Sequence, residues 1–177
     1  MKSIIFKDGN IFTTQCQTIV NTVNCYGEMG AGIALEFKYR YPEMYSKYVE
    51  LCKIHEIQVG KLWIYRSSNR WVLNFPTKNH WKYPSKIEYL EAGLSKFLET
   101  YKKQGIKSIA FPLLGAQNGG LDADVVKQLM SHYLNQCDIP IEIYDYDYNA
   151  KDDLYDNFSS FIQNSTANEI EKQLNLK

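Results

Sequence analysis

Two periods of apolar positions alternate along the chain. Ser3 to Phe6 reads as a short strand, Asp8-Gly9-Asn10 as a turn, and Thr18 to Asn24, apolar at Ile19, Val20 and Val23, as a second strand. From Gly30 the period turns helical through Ile33, Ala34 and Phe37. Pro42 interrupts it, and Met44, Tyr45, Tyr48, Val49 and Cys52 carry a second helix. Lys61 to Arg66 and Arg70 to Phe75 read as paired strands around Ser67-Ser68-Asn69, with a loop from Pro76 to Trp81. Ser85 and Glu88 have capping-box spacing, and the helix they open places Ile87, Leu90, Leu94, Phe97, Leu98 and Tyr101 on one stripe before Gly105 ends it. Lys107 to Leu114 is apolar enough for a central strand. Asp122 caps a further helix carrying Val125, Val126, Leu129, Met130 and Tyr133, and Ile139 to Tyr146 is a last strand. From Asn149 the chain is polar, with a weak helical stripe of Leu154, Phe158, Phe161 and Ile162 and a final dozen residues expected to be disordered.

Strands alternating with helices predict a three-layer α/β sandwich. Two strand ends, at Asn24 and Leu114, run into glycine loops. Ligands of open α/β sheets bind beyond the strand carboxyl ends, so two such loops are the walls of one cleft. The first loop, Gly27-Glu28-Met29-Gly30-Ala31-Gly32, opens a helix, which brings backbone amides up to a phosphate or a sugar.

Composition narrows the classes. The 177 residues suffice for one domain with a real core, and 45% apolar and 23% charged content are ordinary for a soluble protein. Twenty Lys and Arg balance twenty Asp and Glu, so nucleic-acid binding has to come from a local patch. Cys16, Cys25, Cys52 and Cys137 are widely spaced, without metal-ligand spacing, and the chain start has no long apolar run. A reducing, cytoplasmic setting, no membrane span and no bound metal are the expectations.

Motifs exclude the commonest readings of the first loop. Gly27 and Gly32 have Walker A spacing, but Ile33-Ala34 stand where Lys-Ser/Thr must hold phosphate and magnesium. No dinucleotide fingerprint follows a strand, and no serine or cysteine nucleophile elbow occurs. Lys78 sits just after Pro76 near the expected cleft. A lysine of lowered pKa forms Schiff bases or stabilises a leaving group, whereas an ordinary lysine at that position is solvated surface. Asn21 and Asn24 equally suit strand capping, and Cys25 suits a small buried hydrophobe better than a nucleophile. His80, Trp81 and Lys82, with Tyr83 and Lys86, interleave aromatics with bases in the manner of a single-strand nucleic-acid site; core packing and solvation explain them as well. Tyr144 and Tyr146 suit either stacking on a base or the alternation of a half-buried strand.

Taken in order, these residues resemble the macrodomains that bind ADP-ribose. The matching blocks are Gly9-Asn10-Ile11, Val20 to Cys25, Gly27 to Ala34, Asn74-Phe75-Pro76-Thr77-Lys78 with His80-Trp81, Ile109 to Gly115, and Asn118-Gly119-Gly120-Leu121. The likeness is closest to the DarG antitoxin group and covers Lys2 to about Tyr148. It implies an α/β/α macrodomain with a central mixed sheet over residues 1–148, a polar extension at 149–177, and removal of ADP-ribose from a target. In that group the target is thymidine in single-stranded DNA, modified by a cognate ADP-ribosyltransferase toxin. The resemblance also implies a cytoplasmic monomer without cofactor, with Lys78 acting at the distal ribose as nucleophile or electrostatic catalyst.

For binding, the likeness implies Asn10, Ile11, Asn24, Cys25, Gly27, Met29, Gly30, Gly32, Ile33, Ala34 and Thr77 around the nucleoside and distal ribose. Gly115, Ala116, Gln117, Asn118, Gly119, Gly120 and Leu121 would cradle the diphosphate, and His80, Trp81 and Lys82 would touch nucleic acid. Four positions depart from the pattern. Asn10 replaces an adenine-reading Asp, Gln117 replaces a glycine, Glu28 adds negative charge, and Gly119 stands where more distant glycohydrolases carry an acid. A non-catalytic ADP-ribose reader and an ADP-ribose 1″-phosphate phosphatase remain the alternatives.

Overall fold

The computed structural model describes residues 4–154. In chain order these form β1 (Ile4–Asp8), a 3-10 turn (Ile11–Thr13), β2 (Thr18–Asn24), α1 (Gly32–Arg40), α2 (Pro42–Lys53), β3 (Trp63–Arg66), β4 (Trp71–Lys78), α3 (Ile87–Gln104), β5 (Ile109–Pro112), α4 (Ala123–Leu134) and β6 (Ile141–Asp145). The sheet order is β1-β6-β5-β2-β4-β3. Only β3 runs antiparallel to its neighbour, so the sheet is mixed, as expected.

Successive strand residues point to opposite faces, and here both faces are apolar. Val20, Leu73, Ile109 and Phe111 pack against Leu90, Leu94 and Phe97 of α3 and Val126 and Met130 of α4. Their neighbours Ile19, Val72 and Ala110 pack on the other side with Phe37 of α1 and Met44 and Tyr48 of α2. Two apolar cores on one sheet make the three layers. Of the apolar residues that α4 carries, Val125 is 49% exposed, because Val126, Met130 and Leu134 occupy the inner stripe at four-residue spacing.

Two local expectations fail for reasons of tertiary packing. The loop expected from Pro76 instead continues β4 through Lys78. Pairing with β3 stops where Trp63 faces Asn74, so a proline beyond that point deletes no ladder bond on that edge. The capping box at Ser85 and Glu88 does not form. Lys86 is the N-cap and makes no side-chain capping bond. Ser85 is buried with an unpartnered Oγ, and its amide donates to the Gly119 carbonyl at 3.0 Å. Packing beneath the second glycine loop has drawn Ser85 away from its helix.

The segment after β6 returns across the domain, where Asp153 pairs with Arg40. Phe158, Phe161 and Ile162 of the weak helical stripe, and the final dozen residues, lie outside the described residues. No helix among the described residues is long and apolar enough to cross a membrane.

Gly93 on α3 tests how tightly this core is packed. A Cβ there would overlap the ring of the fully buried Phe75. Ala is ordinarily favoured over Gly in a helix by roughly 0.5–1 kcal/mol. Overpacking typically costs about 1–3 kcal/mol, so Gly93→Ala is expected to destabilise despite its better propensity. Urea unfolding measures the sign; a variant more stable than wild type would refute the contact.

Candidate functional site

The site begins where two central strands part. β2 and β5 pair only at Thr18 with Ile109 and Ile19 with Ala110. Beyond that, β2 continues beside β4 and β5 beside β6, with the chain connections leaving in opposite directions. The resulting crevice is a topological switch point. It holds a cavity of about 1190 Å³ with Thr22, Val23, Pro112 and Leu113 among its lining residues. The two glycine loops wall it, as their strand ends predicted.

Asn24 builds the first loop. Its Oδ1 accepts from the backbone amides of Tyr26 (3.0 Å), Gly27 (3.1 Å) and Glu28 (3.3 Å), and its Nδ2 donates to the Glu28 carbonyl at 2.7 Å. The Tyr48 hydroxyl donates to the Asn24 carbonyl at 2.6 Å. Burial pushes the Tyr48 pKa far up, so this hydroxyl remains a donor. One carboxamide thus ties down three successive amides, and among the described residues one Nδ2 hydrogen has no partner. Gly27 (φ +104°) turns behind the loop, where Cys52 and Val49 back it. Burial raises the Cys25 thiol and pushes the Cys52 thiol up to about 11, so neither is an activated nucleophile.

Lys78 joins the two walls. A bulge in the β2–β4 ladder sets Asn24 opposite Lys78 rather than Thr77. Such bulges re-aim side chains beside active sites. The Lys78 ammonium donates to the Asn118 carbonyl of the second loop at 2.5 Å. Burial lowers its pKa below the ordinary lysine value. The walls meet again at Gly32, whose φ of +55° favours glycine and whose Cβ would lie 2.5 Å from Asn118 Nδ2.

Gly119 has no room for a side chain. A Cβ there would overlap the Gly115 carbonyl and come within 2.5 Å of Ser85 Oγ. An acid at that position is therefore sterically excluded, first by the loop's own Gly115 carbonyl and then by the Ser85 hydroxyl packed beneath it. Gln117 needs no left-handed backbone, since His55 is the one non-glycine residue of positive φ among those described. Glu28 lines the cavity but is exposed, where solvent and salt screen its charge.

Most of the expected residues reach the cavity: Asn10, Ile11, Asn24, Gly30, Gly32, Ile33, Ala34, Thr77, Lys78, Trp81, Gly115, Gln117, Asn118 and Gly119. The others do not line it, and each has a structural reason. Met29 is fully buried against the Asn21 amide, and Cys25 packs into the α1–α2 core. Ala116 and Leu121 pack toward α3 and α4, and Gly120 makes a turn at φ +75°. His80 stacks on Tyr26, with ring centroids 4.3 Å apart, and Lys82 lies over the Trp81 ring. Those aromatics form an outer surface, with Tyr26 58%, Trp81 49% and Tyr83 65% exposed.

Arg40, Phe12, Tyr144 and Asp153 also line the cavity. Of these the sequence raised Tyr144 alone, because nothing local signals that α1 and the segment after β6 converge.

Comparisons with known proteins follow this geometry. The Macro domain family profile matches residues 20–130. A Mycobacterium tuberculosis protein named DNA ADP-ribosyl glycohydrolase is 41% identical over 146 residues, covering 80% of this chain and 42% of that protein. A Thermosipho africanus DNA ADP-ribosyl transferase–DNA ADP-ribosyl glycohydrolase fusion protein is 38% identical, over 77% of this chain and 40% of the fusion. The chain thus spans about two fifths of the length of these relatives. Among solved structures, the macrodomain of Mycobacterium tuberculosis DarG superposes with a TM-score of 0.78 at 40% identity, covering 81% of this chain and 98% of that one.

Asn24→Ala removes the acceptor of three amides and is expected to destabilise by roughly 2–3 kcal/mol, the cost of leaving part-buried donors unpaired. Hydrogen exchange at Gly27 and Glu28 should accelerate. Asn24→Asp keeps the acceptor and loses only the donor to the Glu28 carbonyl, so it should be milder. Unchanged exchange in Asn24→Ala would show that the loop holds without it.

Proposed function

The chain belongs to the macrodomain family, and we propose that it is an ADP-ribosyl glycohydrolase that removes ADP-ribose from thymidine in single-stranded DNA. The observation that carries this reading is Lys78. It lines the cavity, it sits opposite the loop-building Asn24, and burial lowers its pKa. The Gly115–Leu121 loop takes the diphosphate through backbone amides, and the Gly27–Ala34 loop and Lys78 take the distal ribose. As a nucleophile, the unprotonated amine attacks the anomeric carbon of the distal ribose, and the base leaves with the glycosidic bonding pair and takes up the proton the new C–N bond releases. The ring oxygen then leaves that carbon with its bonding pair and gains a proton, giving the imine, which water hydrolyses to ADP-ribose and free lysine. As an electrostatic catalyst, the ammonium instead stabilises the departing base.

The names of the relatives support the substrate and the setting. They are DNA ADP-ribosyl glycohydrolases, and one is fused to a DNA ADP-ribosyl transferase. We infer for this chain an antitoxin role opposite such a transferase, as a cytoplasmic monomer; four unpaired cysteines suit a reducing compartment. His80, Trp81 and Lys82, with Tyr26, offer the exposed aromatic and basic surface that unpaired bases stack on. A non-catalytic ADP-ribose-binding module is the second reading, favoured by the absence of space for an acid at Gly119.

Release of ADP-ribose from a modified single-stranded oligonucleotide tests the proposal. Lys78→Ala should lower turnover by at least about 100-fold while ADP-ribose affinity stays within about threefold. Binding without release by the wild type would establish the second reading, and cleavage of ADP-ribose 1″-phosphate alone would establish a phosphatase.

The pH profile separates the two roles of Lys78. A nucleophile must be deprotonated, so its rate rises with pH through a midpoint below that of ordinary lysine; an electrostatic catalyst must stay charged, so its rate falls there. His80→Ala, which removes a ring outside the cavity, should weaken modified-DNA turnover by about tenfold and leave free ADP-ribose binding unchanged.

A further inference from the structure

The cavity has a second polar group of side chains on its β1–β6 side, across the β5–β2 crevice from Lys78 on β4. Arg40 holds Asp153 bidentately, Nη1 to Oδ2 at 2.7 Å and Nη2 to Oδ1 at 2.9 Å. The Arg40 guanidinium lies 3.9 Å over the Phe12 ring. Asn10 Nδ2 donates to Asp153 Oδ1 at 3.0 Å and to the Lys151 carbonyl at 3.5 Å, and its Oδ1 accepts from the Phe12 amide at 3.0 Å. The Arg40 and Asp153 side chains are only 20% and 18% exposed, and both residues line the cavity.

An inventory of hydrogen-bonding capacity shows what this group offers a ligand. A carboxylate accepts at about four lone-pair sites. Among the described residues Arg40 and Asn10 occupy three on Asp153, which leaves one on Oδ2. Both hydrogens of Asn10 Nδ2 are engaged, while its Oδ1 keeps one lone pair. Burial pushes the Asp153 carboxyl up, but the Arg40 and Asn10 hydrogen bonds and the Arg40 charge outweigh it, so the group is ionised at neutral pH. What Asn10 and Asp153 have to offer is acceptors, held by an arginine that is itself packed on Phe12.

We propose that Asp153 is a specificity-determining residue of this site. Its free Oδ2 lone pair and that of Asn10 Oδ1 receive the exocyclic amino group of the ligand's nucleobase, and Arg40 is the positioning residue that holds the carboxylate in place. A purine with an amino group donates to these acceptors; one with a carbonyl oxygen there meets acceptors with an acceptor. The carboxylate comes from the segment after β6, which the sheet itself does not require. This inference rests on the ADP-ribose reading of the cavity.

Calorimetric binding of ADP-ribose and of its hypoxanthine analogue to the full chain tests it. Wild type should prefer ADP-ribose by about tenfold or more, the effect of one hydrogen bond to a charged acceptor. Asp153→Asn is close in shape, and its carboxamide can turn a donor toward the hypoxanthine oxygen. It should lower the preference to about twofold or less, at a melting temperature that shows the variant folded. Equal wild-type affinity for the two ligands would overturn the proposal and leave the ADP-ribose reading standing. So would a variant in which both affinities fall equally, since Asp153 would then only fasten the segment. Wild type binding neither ligand would sink the ADP-ribose reading itself. If Asp153→Asn does not fold, Asp153→Ala supplies the same comparison, and an undiminished preference in it would overturn the proposal.

Discussion

The site depends on one buried pair of carboxamides. Asn21 on β2 and Asn74 on β4 lie directly opposite each other, 0% and 1% exposed, with Asn21 Nδ2 donating to Asn74 Oδ1 at 3.0 Å. Such groups are costly in a core unless they are bonded, by a few kcal/mol each. Sliding β4 by one residue would send Asn74 to the other face and leave the Asn21 amide in hydrocarbon without its partner. The pair therefore specifies the register of the two strands. Three residues further on, that register and its bulge put Lys78 opposite Asn24.

From there the geometry is a chain of contacts between rigid parts. Asn24 spends most of its hydrogen-bonding capacity on its own loop, and Lys78 and Gly32 bring that loop against Asn118. The second loop rests on Ser85 through the Gly119 carbonyl, so α3 supports it from below. A cavity made this way is organised before any ligand arrives, which reduces the ordering cost of binding. The same packing leaves Gly119 no space for an acid, across from one partly desolvated lysine.

Charge is divided across the crevice. The β4 side carries an amine whose charged form burial disfavours, and the β1–β6 side carries a carboxylate whose charged form an arginine favours. With a net charge of zero, the chain's overall charge gives a ligand no net attraction. Orientation in the cavity has to come from these local groups and from the loop amides between them.

Much of this was legible in the sequence. The change of apolar period delimited β2 and α2 to the residue or nearly so, because tertiary contacts there reinforce local propensity. The two glycine loops marked the cleft walls, since a strand running into Gly-rich turns has few other uses. Lys78 stood out only through its neighbours in an ordered set of motifs, as an isolated lysine carries no signal. Ser85 misled, because the pattern that caps a free helix was overruled by packing under a loop thirty residues further along. Val125 and Val126 read alike in the sequence, and one residue of helical phase, about 100°, separates solvent from core there.

Asn21, Asn74, Arg40 and Asp153 read locally as ordinary polar residues. The sequence by itself determined the alternation of strands and helices, the two loops and the lysine at a strand end, because short-range periodicity and glycine geometry suffice for those. Only the tertiary structure decided which polar groups are buried, which face each other across the sheet, and that a segment beyond the last strand closes one side of the cavity. Those are matters of long-range contact, and no local pattern encodes which distant partner will satisfy a buried hydrogen bond.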